Sequence, residues 1–458
     1  MGGDVAVKAP AAADAGRERT RTAGGGGGWG IYFAFVIALA PVVMPIGTLQ
    51  LEVVDAFNVL ALAAFAVLVL TRQIEPRAPF AAGAFVVLVG SLIAMVNAQS
   101  VPAAVLALVQ DTYLYLWFIM LVSVMRLRGE LVALRIGWVA VSCVVAIIGF
   151  VVIMVNGNTT LAGIVGPKGA RATATFPDPN MCADYLGMSF FLLLSLGDHV
   201  GRAWRWIATA ILLAAIVATK SNGGALSLLV GLVVWTVVRG RTTRFPLPAL
   251  TGVALFVVSV GLAGFWMATG LGVGTHELEN LQKHSFLARA QHSSQGRFKI
   301  WRQLEATLQK APLGIGPGNS AWMPVTVEGR ERPHSMYSKE AHSDYLAYMI
   351  ERGPLGILAL LFVMVQTFGM VRTIWMRRLR AGRADRATGA LVAGLAGALA
   401  CSAVHSLTIE RLHFRHFWLL LAIVCALAET ARIRRASPAA VDVPAHGRAP
   451  QPLAVAQA

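Results

Sequence analysis

The sequence predicts an all-α polytopic integral membrane protein of about twelve transmembrane helices. Hydrophobic residues fill 56% of the 458 positions and charged residues only 14%, with a mean hydropathy of +0.64. Soluble domains carry about 25% charged residues. The apolar residues gather into runs that match a bilayer core, which takes roughly 20 per helix. Apolarity inside these runs is continuous and does not alternate, which excludes a β-barrel.

The runs lie near 30–47, 53–71, 80–97, 102–125, 131–155, 181–198, 204–219, 223–238, 247–268, 343–371, 387–405 and 413–431. They divide the chain into a tail (1–29), spans one to nine (30–268), a large polar loop (269–341), spans ten to twelve (342–433) and a second tail (434–458). The tails have the composition of disordered chain, with Gly24 to Gly28 in one and an Ala/Pro-rich stretch in the other. The N-terminus has no hydrophobic stretch with a small-residue cleavage site, so no cleaved signal peptide is expected. The four cysteines fall in or beside spans, which supports neither a disulfide framework nor a Cys-based metal site.

Basic residues orient the spans. With both termini cytoplasmic, the short loops on that side collect Arg72, Arg77, Arg126, Arg128, Arg135, Arg202, Arg205, Arg239, Arg241 and Arg244, and a cluster from Arg372 to Arg386 follows. Short loops obey the positive-inside rule and long ones are largely exempt from it. The loop 269–341, between spans nine and ten and expected to hold short helices, then faces the outside or periplasm. Much of the net charge of +16 is this topological signal together with attraction to anionic lipid heads, so no nucleic-acid partner is called for.

That loop is where water-accessible chemistry can be housed. It carries nine Lys/Arg against six Asp/Glu, a balance that favours an anionic ligand. Residues 298–310 place Trp301, Leu304 and Leu308 on one helical face and read as an amphipathic helix on the membrane surface or against the spans. Arg297 stands at its start, where backbone N–H groups also attract anions. The run Pro312-Leu313-Gly314-Ile315-Gly316-Pro317-Gly318-Asn319 breaks it. It reads either as close backbone approach to a ligand or as a loop that needs tight turns.

His342 opens a helical pattern from 343 to 371 that Gly353-Pro354 can kink, with Glu351-Arg352 expected near the headgroups. The helix dipole disfavours a charged His342 and the adjacent Asp344 favours one. A mostly neutral ring suits a general base; the alternative is a structural histidine. Arg171 and Lys220, at outer span ends, are either solvated anchors or part of a convergent anion site. The outer turn 405–416 holds His405, Glu410, Arg411, His413, Arg415 and His416 but lacks a recognisable metal-ligand spacing.

Taken in order, these segments resemble the O-antigen ligase and polymerase superfamily. The resemblance rests on Gly296-Arg297-Phe298-Lys299-Ile300-Trp301, on Pro312 to Asn319, and on His342-Ser343-Asp344-Tyr345-Leu346 with Glu351-Arg352-Gly353-Pro354-Leu355-Gly356. Asp178-Pro179-Asn180 and Ser221/Gly223 also look like the family. The motifs cover about 170–360, and each alone is weak. Where the family often has Ser-Arg-Gly or Ser-Arg-Ser, this chain has Ser221-Asn222-Gly223, with Lys220 one position earlier.

The resemblance implies glycosyl transfer at the periplasmic face of the bacterial inner membrane. The donor would be a glycan on undecaprenyl diphosphate and the acceptor a sugar hydroxyl of lipid A-core, with no metal, nucleotide sugar or other cofactor. His342 and Arg297 would be catalytic, and Arg171, Lys220, Arg302, Asn180 and Asn319 would bind diphosphate or substrate. An O-antigen polymerase and a protein O-oligosaccharyltransferase are the rival readings within the family. Polymerases commonly have two large periplasmic loops where this chain has one. A lipid-linked glycan flippase is the rival of another class, although no internal repeat is evident and Asp111 is the clearest ionisable residue inside a span.

Overall fold

A computed structural model describes residues 26–43, 52–128, 131–154, 171–242, 301–302, 305–320, 326–327, 330–331, 342–380 and 385–436. Eleven α-helices run through these residues: α1 (Gly26–Leu39), α2 (Val53–Leu70), α3 (Ala81–Ala94), α4 (Val101–Met125), α5 (Val132–Met154), α6 (Pro179–Ser195), α7 (Arg202–Thr219), α8 (Asn222–Thr242), α9 (Asp344–Arg380), α10 (Arg386–His405) and α11 (Arg415–Ala436). They fall on eleven of the twelve predicted runs. The remaining run, 247–268, lies outside the described residues. Seven helices (α2, α4, α5, α7, α8, α9 and α10) are long and apolar enough to cross a membrane, so the protein is a polytopic helical membrane protein. The run 247–268 is not among the described residues, and part of the shortfall from twelve lies in α1 and α3. At 14 residues each, they are shorter than the roughly 20 that a bilayer core requires. An antiparallel pair, Thr326–Val327 with Arg330–Glu331, is the described β-structure of the loop.

Small residues set how closely the central helices pack. A Cβ at Gly231 on α8 or Gly397 on α10 would stand 2.5 Å from the Phe191 ring of α6, and one at Gly394 would stand 2.5 Å from Ser195. Glycine at these positions lets the backbones approach, the usual way to pack helices where lipid offers no hydrophobic driving force. At the basic end, arginines cap helix C-termini. Arg135 donates to the Ser195 carbonyl at 2.9 Å, and Arg205 donates to the Gly197 carbonyl.

The opposite end, which carries the loop, is built around a break in α9. Gly353 has φ 64° and ψ −162°, and Pro354 follows it. Proline has no N–H to give the Ile350 carbonyl, and the turn at Gly353 strips the helical donor from Glu351. The Gly/Pro run of the loop supplies both missing donors. Ile315 N–H donates to the Ile350 carbonyl at 2.9 Å and Gly316 N–H to the Glu351 carbonyl at 3.0 Å. Gly314, Gly316 and Gly318 all have positive φ, and a Cβ at Gly314 would meet the Gly353 nitrogen at 2.7 Å. These glycines therefore serve backbone-to-backbone docking. On its other side the turn reaches the α3–α4 junction, where Asn97 Nδ2 donates to the Gly314 carbonyl at 3.0 Å.

Candidate active site

Polar side chains are buried in three layers at the loop end. The first ties α1, α2, α4 and α11 together. Arg415 binds Asp55 with two nitrogens, at 2.5 and 3.1 Å, and Glu52 with a third contact at 3.0 Å. Tyr113 donates to Asp55 at 2.7 Å and accepts from Asn58, which in turn accepts from Tyr32. Burial pushes the Glu52 carboxyl up to about 7, against the pull of Arg415. Burial, with Arg415 and His416 beside it, pushes the His413 ring down to about 3, so this ring adds no charge to the layer near neutral pH.

The second layer centres on Asp184 of α6, fully buried. His405 Nδ1 lies 3.1 Å from one of its oxygens and His416 Nε2 lies 3.3 Å from the other. Arg411 approaches Asp184 at 3.9 Å and Asp344 at 3.5 Å, rests over the Phe417 ring, and donates to Ser402 and Ser406. A guanidinium in the middle of this cluster repels any metal cation. Among the described residues, no group of three or more His, Cys, Asp or Glu side chains is arranged to hold one.

The third layer sits under the α9 kink. Arg352 and Glu351 are buried within the protein. Arg352 pairs with Asp111 of α4 at 2.6 Å and with Glu351 at 3.1 Å, and lies over the Tyr348 ring. Burying the pair satisfies both charges where lipid cannot. Glu351 also accepts from the Ser320 hydroxyl at 2.6 Å, which fastens the end of the Gly/Pro turn.

His342 stands just above these layers, partly exposed, with φ 52°. Its N–H donates to Glu410 at 3.0 Å. Two residues on, Asp344 N–H donates to the Ser406 carbonyl at 2.9 Å, and Asp344 Oδ1 accepts from Arg411 N–H and Leu412 N–H. The Asp344 carboxylate therefore holds the 406–412 turn, a task the sequence reading gave instead to tuning His342.

Arg171, Lys220 and Asn180 meet in one patch. Arg171 Nε donates to the Thr219 carbonyl at 2.8 Å and Nη2 reaches the Lys220 carbonyl at 3.5 Å, capping the C-terminus of α7. Lys220 is exposed in a left-handed turn. Asn180 accepts from Ser221, which caps α8 through Gly224 N–H. This patch abuts the 405–408 turn, because a Cβ at Gly223 would stand 2.3 Å from the Thr408 hydroxyl. Arg302 is exposed on the segment 301–310, of which 301–302 and 305–310 are helical, and its neighbour Trp301 packs on Ile315, Ala347 and Ile350 of the turn and α9. Asn319 is spent elsewhere. Its carboxamide accepts from Ser100 N–H at 2.8 Å and donates to the Ser100 and Pro317 carbonyls at 3.2 Å, a structural use. Arg297 lies outside the described residues.

A cavity of about 330 Å³ runs between α3, α4, α9, α10 and α11. Tyr348, Arg411, Leu412 and Asp111 are among the residues that line it. Exposed Phe85, Leu88 and Phe368 also line it, so it reaches the surface that faces lipid.

A family model described as O-antigen ligase matches residues 207–361. This stretch of the chain is similar to the O-antigen ligase superfamily. The match runs from α7 to α9 and takes in Lys220, Arg302, Asn319 and His342 along with the kinked helix. Superfamily members of this type are glycosyltransferase-like enzymes acting on lipid-linked glycans and lipid acceptors. A comparison with curated proteins finds no match.

Sequence reasoning missed Asp184, Asp55 and Glu52. The available signal was an ionisable residue inside or at the edge of an apolar run, which in a membrane always needs a partner.

Proposed function

We propose that the protein is an O-antigen ligase of the bacterial inner membrane, with its loop end facing the periplasm. It would move a glycan from undecaprenyl diphosphate to a sugar hydroxyl of lipid A-core and so complete lipopolysaccharide. The observation that supports this reading is a cavity lined by Asp111, Tyr348 and Arg411 that opens among the exposed side chains of Phe85, Leu88 and Phe368, within a chain whose residues 207–361 match the O-antigen ligase model. The hydrocarbon tail of a lipid-linked substrate can lie in such a cavity, and His342, which we assign as the base, would meet its polar head.

The acceptor hydroxyl oxygen bonds to the anomeric carbon of the donor sugar as that carbon's bond to the diphosphate oxygen breaks. His342 takes the hydroxyl proton, and undecaprenyl diphosphate leaves with the electron pair of the broken bond. Negative charge grows on the leaving diphosphate, and Arg297, Arg302, Arg171 and Lys220 are the cations that would stabilise it. Asn180, beside Lys220, orients the same group. No step calls for a metal ion.

The purified protein in lipid nanodiscs should be given the lipid-linked glycan with three acceptors in parallel: rough lipopolysaccharide, a second lipid-linked glycan and an acceptor protein. EDTA is present throughout. Product is expected on lipid A-core at an undiminished rate. Product on the lipid-linked glycan would make it a polymerase, and product on protein an oligosaccharyltransferase. Loss of transfer with EDTA would remove the metal-free mechanism.

A further inference from the structure

The turn between α10 and α11 does more than join two helices. We infer that Glu410 is a positioning residue that aims the His342 ring, an inference that rests on His342 being the base. His342 has φ 52°, a left-handed backbone that a β-carbon disfavours and that persists only where the surroundings impose it. Glu410 imposes it by accepting the His342 N–H at 3.0 Å. Asp344 supplies the second anchor, giving its N–H to Ser406 at 2.9 Å and taking Arg411 N–H at 2.9 Å and Leu412 N–H at 3.2 Å.

Residues 342 and 344 are thus pinned to the same turn, one on each side of the helix cap Ser343. The turn itself is stiff. Arg411 is buried against Ser402 and Ser406, and Thr408 N–H closes back on the His405 carbonyl at 2.8 Å. With this frame fixed, the Glu410 carboxylate decides the backbone angle of His342 and hence the direction of its imidazole. The residue lies beyond the family match at 207–361.

Glu410→Ala removes the acceptor, whereas Glu410→Gln keeps an oxygen in the same place. A misplacement of about 1 Å at a reacting group costs on the order of a hundredfold in rate. In Glu410→Ala, kcat for transfer should fall roughly ten- to hundredfold. KM for the donor and the pH profile of kcat/KM should stay as in wild type. Glu410→Gln should recover most of the rate. Equal impairment of both folded variants would mean that the charge itself acts on substrate, and would overturn the proposal, as would an unimpaired alanine variant.

Carbethoxylation of His342 by diethyl pyrocarbonate, followed by peptide mass spectrometry, tests the clamp without turnover. The labelling rate should change in Glu410→Ala and stay at the wild-type value in Glu410→Gln. An unchanged rate in both refutes the clamp. If wild-type protein transfers nothing, the functional reading fails on its own, and the labelling rates still decide the clamp. Should Glu410→Ala fail to fold, the glutamine variant carries the test, because a folded but slow Glu410→Gln contradicts it.

Discussion

His342→Ala is expected to lower glycan transfer by about 10²–10⁴-fold, the usual contribution of a positioned acid–base group. The protein should still insert and unfold at the wild-type temperature. The side chain is partly exposed, and the contact that fixes this position is made by its backbone N–H to Glu410, which alanine retains. Loss of rate without loss of fold follows from that division. Transfer within tenfold of wild type, measured with purified protein and saturating donor, would take the base role away from this residue. Arg297→Ala is expected to act in the same direction by exposing the leaving diphosphate to less positive charge.

Arg352→Ala should instead damage the fold. The guanidinium is buried and answers Asp111 at 2.6 Å and Glu351 at 3.1 Å. Its removal leaves two carboxylates facing each other inside the membrane region. Breaking a buried pair by deleting one partner costs about 3–5 kcal/mol. The damage spreads to the loop, because Glu351 also holds Ser320 and so fastens the Gly/Pro turn onto α9. Thermal unfolding in nanodiscs should show a clear drop in midpoint. Neutralising the partners as well, with Asp111→Asn and Glu351→Gln, should recover much of it. A single Arg352→Ala variant that unfolds with wild type would show that the ion pair contributes no stability.

The two kinds of expectation differ in how far sequence alone could support them. Helix positions were legible because continuous apolarity is a local property; the run read as 102–125 is the helix Val101–Met125. The kink was legible too, since Gly353-Pro354 carries its own backbone chemistry. The partner of the kink was not. Ile315 and Gly316 fill the hydrogen bonds left open at Ile350 and Glu351, a pairing set by three-dimensional packing. Asn319 looked like a ligand contact because it follows a glycine-rich turn, yet its carboxamide is used on Ser100, 219 residues earlier.

Asp184 illustrates the same limit. It was visible as an ionisable residue in an apolar run, but its partners His405 and His416 lie 221 and 232 residues away. Its role depends on α6, α10 and α11 meeting, which no local pattern encodes. Arg171 and Lys220 were left open between solvated anchors and a convergent anion site, and Asn180 entered through the family resemblance; the folded chain brings all three together at the junction of α6, α7 and α8.

The most direct test of the whole account is the stoichiometry of a single reaction. Purified protein in nanodiscs is mixed with radiolabelled undecaprenyl diphosphate glycan and rough lipopolysaccharide, and both products are counted. One free undecaprenyl diphosphate should appear for each glycan joined to lipid A-core, at equal rates. Movement of intact donor across the bilayer with no free diphosphate released would contradict glycosyl transfer and leave a transporter in its place.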